Sequence, residues 1–110
     1  MDVVIYGLPT CSSTRAAVAA FRALGRPVRL RDVRAEPLTQ SERERFLASF
    51  GDALVNRAST TWRGLSEAER ALPVGRLLQQ HPAVMKRPVI DTGQALHLGW
   101  TPKVQTAALA

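Results

Sequence analysis

Cysteine occurs once in this 110-residue sequence, which excludes an intramolecular disulfide and leaves too few thiols for any zinc-binding spacing. Histidine occurs twice, at His81 and His97, and neither has partners at metal-ligand spacing, so no metal site is expected and both rings read as structural or exposed. Lysine is nearly as scarce, with two residues against 13 arginines, and aromatic residues make up only 5% of the chain. The net charge of +6 therefore comes from arginines that no stacking rings interleave, the densest set being Arg26, Arg29, Arg31 and Arg34. That pattern is a solvated basic surface or a surface for an anionic partner, with no direct nucleic-acid contact expected. Long apolar runs are missing too: the longest covers residues 16–21 and is mostly alanine, too short to cross a bilayer. With no basic-then-apolar leader pattern, the expectation is a cytoplasmic protein without membrane contact, where a lone thiol stays reduced.

What remains is a globular composition, 45% hydrophobic and 22% charged, of a size for one domain over residues 1–110. Val3, Val4, Ile5 and Tyr6, bounded by Gly7 and Pro9, read as a buried strand. Ala17, Phe21 and Leu24 follow at helical spacing, with Thr10 and the serines after Cys11 as candidate caps and Gly25 as a stop. Val28 and Leu30 alternate with arginines in a second strand near residues 28–32, parallel to the first across a βαβ crossover. Thr39 and Glu42 form a capping box ahead of Phe46, Leu47 and Phe50, and Ser66 and Glu69 repeat the device. Leu77 and Leu78 belong to another helix that stops before Pro82. Val89 and Ile90, then Ala95, Leu96 and Leu98, flank a hairpin turn at residues 91–94, and Thr101-Pro102 opens a last helix. The order β-α-β, helices, β-β-α predicts an α/β domain of thioredoxin-like type, interrupted by a helical insertion at about residues 38–85.

Cys11 falls between the first strand and the first turn of the helix after it, where free backbone N–H groups and the helix dipole favour a thiolate. Thr14 stands where a Cys-x-x-Cys motif would have its second thiol, so Cys11 has no local disulfide partner. The Thr14 hydroxyl can donate to a thiolate or simply cap the helix.

Three stretches together resemble the arsenate reductase-like family, in the branch related to the bacterial protein YffB and the regulator Spx. They are GLPTCSSTR at 7–15, LVNR at 54–57 followed by TTWRGL at 60–65, and HP at 81–82 through KRPVI at 86–90. The resemblance covers nearly the whole chain and implies a thioredoxin-like fold with a helical insertion. It implies that Cys11 is the catalytic-type cysteine, and that Arg57 and Arg87 hold an oxyanion or stabilise the thiolate, each being otherwise a surface arginine. Arg15 follows the family pattern beside the cysteine loop, and Pro88 corresponds to the cis-proline opposite the active cysteine. A third arginine of the arsenate reductases would fall near Trp100, where this chain has an aromatic residue, as the YffB and Spx branch tends to. A two-arginine site with an apolar wall speaks against arsenate reduction. Trp62 is read as packing the insertion.

The resemblance thus implies a thiol-dependent reductase in which no cofactor is bound, glutathione is the co-substrate, and glutathione or glutaredoxin resolves the adduct on Cys11. Two alternatives go with the same residues: a regulator that binds RNA polymerase, as Spx does, and a true arsenate reductase.

Overall fold

The computed structural model describes residues 2–110. The chain divides into two compact units, one formed by the segment up to Val33 together with Arg87–Ala110, the other by Arg34–Lys86. The insertion is thus a few residues wider than 38–85.

In the first unit, β1 (Val3–Gly7) leads through α1 (Ser12–Ala23) to β2 (Val28–Asp32), and β3 (Val89–Asp91), β4 (Leu96–Leu98) and α6 (Pro102–Ala108) complete it. The sheet order is β2-β1-β3-β4. β1 and β2 are parallel, with Ile5 opposite Leu30, and the β1–β3 and β3–β4 pairs are antiparallel, with Tyr6 opposite Val89 and Val89 opposite Leu98. This is the strand and helix order read from the periodicity. Strand alternation sends Val3 and Ile5 to one face, where with Ile90 they meet Ala17, Val18 and Phe21 of α1 and Ala108 of α6 in one buried cluster. Only a residue pattern at i, i+3, i+4 and i+7 can keep Thr14, Ala17, Val18 and Phe21 buried along α1.

The hairpin differs slightly from expectation. Ala95 belongs to the turn rather than to β4, because Thr92 closes the loop by donating its N–H to the Ala95 carbonyl and accepting the Ala95 N–H on Oγ1.

The second unit consists of α2 (Gln40–Phe50), α3 (Thr60–Arg63), α4 (Glu67–Arg70) and α5 (Val74–Gln80), with 3-10 turns at Gly51–Leu54 and Pro82–Val84. Both expected capping boxes are formed: Thr39 Oγ1 accepts from the Glu42 N–H at 3.1 Å, and Ser66 Oγ accepts from the Glu69 N–H at 3.1 Å. The short helix α3 was not expected, and its signal is Ser59, whose Oγ caps it by accepting from the Trp62 N–H. α2 packs against α5, with Phe46, Leu77 and Leu78 buried. No helix among the described residues is long and apolar enough to cross a membrane.

Candidate active site

A turn at the end of β1 sets the position of Cys11. The Cys11 N–H donates to the Leu8 carbonyl at 3.0 Å, closing a four-residue turn with Pro9 at its second position, where the fixed proline φ fits. Cys11 then becomes the N-cap residue of α1 with extended backbone angles, φ −83° and ψ 122°. Neither Thr10 nor the serines cap the helix, contrary to the sequence expectation, because the turn delivers Cys11 itself to that position. Its sulfur stands where a capping oxygen would be, without making a full capping hydrogen bond. The first turn of α1 contains no acidic residue that would oppose a negative charge there.

Partial burial pushes the Cys11 thiol pKa up, but the Thr14 hydroxyl and backbone N–H and the Arg87 guanidinium act in the opposite sense and prevail, so that it lies below its ordinary value. Thr14 is completely buried, and its Oγ1 finds no well-formed hydrogen bond in the fold. The hydroxyl is close enough to stabilise a sulfur anion while making no regular bond to the thiol, as suits a donor whose acceptor strengthens on ionisation. Thr14 does not cap α1, whose N-cap is Cys11, and its hydroxyl is among the groups that lower the Cys11 pKa. Arg87 is half-buried and approaches the sulfur from the start of β3. The Arg87–Pro88 peptide bond is cis, as the resemblance implied, and Pro88 is buried beside the end of β1.

Gly7 bounds the first strand and heads the GLPTCSSTR stretch, but its steric role against Thr14 shows only in the folded structure. A Cβ built there would collide with Thr14 Oγ1 and Cγ2, so the strand can approach Thr14 this closely only without a side chain. Gly7→Ala is expected to displace Thr14, costing about 1–3 kcal/mol of stability as overpacking does and slowing Cys11 alkylation at neutral pH. Urea denaturation and iodoacetamide kinetics on the same preparation check both effects; an alanine variant with wild-type alkylation would separate Thr14 from the thiol.

The other residues expected at the site lie as follows. Trp100 follows Gly99, whose N–H donates to the Pro88 carbonyl at 2.8 Å and whose φ of 83° turns the chain. The chain therefore passes beside the cis-proline, but the Trp100 ring packs against Phe21 with centroids 6.1 Å apart. Phe21 is ten residues along α1 from Cys11, roughly 15 Å at 1.5 Å per residue. The Trp100 ring is partly buried and packs against the core cluster. Arg15 is exposed and borders a groove on the outer side of α1.

Arg57 lies in the insertion unit. Its backbone is held by a turn in which Asn56 Oδ1 accepts the Ala58 N–H and the Asn56 carbonyl accepts from Ser59. The Arg57 guanidinium sits 5.3 Å from the centroid of the Trp62 ring, and Arg70 sits 5.5 Å from the same ring. Trp62 packs within the insertion, as expected. His81 pairs with Glu69 at 2.9 Å, which gives it a structural place in that unit.

The ArsC family profile matches residues 6–107, nearly the full chain. The chain belongs to the ArsC family. Two relatives cover most of the chain. One is an uncharacterized protein of Haemophilus influenzae, 32% identical, with 98% of this chain and 99% of that one covered. Another is the global transcriptional regulator Spx of Listeria innocua, 28% identical over 89% of this chain and 79% of Spx. Among solved structures, a YFFB protein superposes with a TM-score of 0.88 at 30% identity, covering 98% of this chain and 99% of that one. The four-stranded mixed sheet with its helices is accordingly the ArsC form of the thioredoxin-like fold, in the branch related to YffB and Spx.

Proposed function

We propose that this ArsC-family chain is a glutathione-dependent thiol reductase that uses Cys11 as its nucleophile. The observation that carries the reading is a thiol at the N-cap of α1 whose pKa is lowered by Thr14 and Arg87, in a chain with no second cysteine. In a mixed disulfide between a substrate thiol and glutathione, the Cys11 thiolate attacks the glutathione sulfur. The disulfide bond breaks, the substrate leaves as its thiolate, and Cys11 is left joined to glutathione. A second glutathione thiolate then attacks the glutathione sulfur of that adduct, releasing oxidised glutathione and the Cys11 thiolate. Glutathione or glutaredoxin must supply this second thiol because Thr14 replaces the residue that would resolve the adduct within the chain. Arg87 serves as the cation beside the reacting sulfur. Arg57, steadied on Trp62, has a role in anion binding that the family resemblance alone implies. The reaction suits a reducing compartment such as the cytoplasm, where glutathione is abundant.

Intact-mass spectrometry after exposure to oxidised glutathione is expected to show one glutathionyl adduct, removed by reduced glutathione and absent from Cys11→Ser. Reduction of a glutathionylated peptide should then proceed in a coupled assay with glutathione reductase. Adduct formation without turnover would reject the enzymatic reading, and no adduct would reject the site. The similarity to Spx supports a second reading, a regulator that binds RNA polymerase. Co-purification with RNA polymerase in the absence of turnover would favour it. Arsenate reduction is less well supported, because position 100 supplies a partly buried tryptophan, packed against the core, in place of a guanidinium.

A further inference from the structure

The outer side of α1 has a feature that the thiol chemistry does not use. Arg15, Val18, Ala19, Arg22 and Ala23 recur at i, i+3, i+4, i+7 and i+8, and with Leu30 of β2 they line a groove of about 700 Å³. Its floor is aliphatic and its only charged lining residues are the two arginines. Among the described residues neither guanidinium has an ion pair or side-chain hydrogen bond, whereas other arginines of the chain are tied to backbone carbonyls or stacked on rings. Arg15 and Arg22 are two helical turns apart, roughly 10 Å. Ala19 and Ala23 between them are exposed and small, leaving room for a second backbone to approach α1 closely.

From this we infer that the α1–β2 groove is a docking surface for an acidic amphipathic helix of a partner protein. Two carboxylates seven residues apart on such a helix match the spacing of Arg15 and Arg22, and aliphatic side chains three and four residues after the first carboxylate reach Val18, Ala19, Ala23 and Leu30. Charge complementarity selects the occupant. A groove with two unengaged guanidiniums and no carboxylate repels a basic segment and leaves two cations without counter-charges under an uncharged one. The net charge of +6 adds a long-range attraction for acidic partners. The groove also reaches Pro9, in the turn that carries Cys11, so a helix seated here would bring its protein alongside the thiol loop.

The test uses the full chain and a fluorescein-labelled, helix-stabilised peptide of about four turns, with glutamates and leucines at these spacings. Anisotropy should show saturable binding that weakens about tenfold between low and physiological salt. Arg22→Glu should abolish it and the milder Arg22→Gln should weaken it severalfold, each with an unchanged far-UV circular dichroism spectrum. Lys103→Glu, which makes the same charge change on exposed α6, should leave it intact. Absence of saturable binding, or equal loss in Lys103→Glu, would overturn the proposal. It would also be overturned if oligouridylate or phosphatidylglycerol vesicles bound with the same Arg22 dependence and displaced the peptide, because the surface would then be one for polyanions in general.

Discussion

Thr14→Val is expected to lower the rate of Cys11 alkylation at pH 7 by about tenfold while leaving the protein folded. The valine keeps the buried volume and the backbone N–H but removes the hydroxyl that favours the thiolate. Hydrogen bonds to charged groups contribute about 1.5–3 kcal/mol, and each 1.4 kcal/mol is roughly a factor of ten in a population. Two effects moderate the loss. The sulfur is only partly buried, which weakens each contact, and a more basic thiolate is the better nucleophile, recovering about half the change on a logarithmic scale. Thr14→Ser should retain most of the wild-type rate because it retains the hydroxyl. At pH below the native Cys11 value, where the sulfur is a neutral thiol, stability should change little, because Thr14 Oγ1 has no regular hydrogen bond to lose.

The same ionisation makes stability depend on pH. Because the Cys11 pKa is lowered in the folded protein, the native state binds fewer protons than the unfolded chain between that value and the free-thiol range of about 8.5. Stability should therefore rise with pH across this window, be fully present above the unfolded value, and be lost as pH falls through the native one. Cys11→Ser should abolish that slope and Thr14→Val should flatten it. Iodoacetamide rates against pH and urea midpoints at several pH values give both readouts, and a Thr14→Val rate profile identical to that of wild type would remove Thr14 from the mechanism.

Phe21→Ala is expected to cost about 3–5 kcal/mol, the usual range for deleting a fully buried phenyl ring, and in a domain whose total stability is about 5–15 kcal/mol this brings much of the population near unfolding. Phe21 has no exposed surface, meets the Trp100 ring at a tilt of 47°, and has the Arg26 guanidinium 5.4 Å from its ring centroid. Its position joins the core to the chemistry, since the helix it anchors begins at Cys11. Urea denaturation followed by circular dichroism should show the loss, with Phe21→Leu destabilised less. Trp100→Arg should lose stability for the same reason, since it would place a guanidinium in the cluster under α1. A Trp100→Arg protein of wild-type stability with new arsenate affinity would show that the ring is not needed in the core.

Much of this molecule was legible in its residues. The β-branched run at Val3, Val4 and Ile5, the 3.6-residue spacing through Ala17 and Phe21, and the T-x-x-E and S-x-x-E boxes are local signals, because hydrogen bonding and side-chain direction within one element depend on neighbours in sequence. Cys11 before a helix and the absence of a second thiol are local as well, and they determined the kind of chemistry open to the chain. The cis bond before Pro88 was reached through family resemblance. Tertiary structure decided the rest. Gly7 ends a strand and opens the family-like stretch, but the steric need for glycine there is set by a threonine seven residues away that folding brings against it. Trp100 reads as part of an anion site along the chain, but its partly buried ring packs against the core cluster beside Phe21. Arg15 sits four residues from Cys11 yet borders a groove with Arg22, because the two arginines share one face of α1 while Cys11, an N-cap with extended backbone angles, lies outside that helical register. Spacing within an element is fixed by backbone geometry, whereas contacts between elements depend on how their apolar faces close on one another.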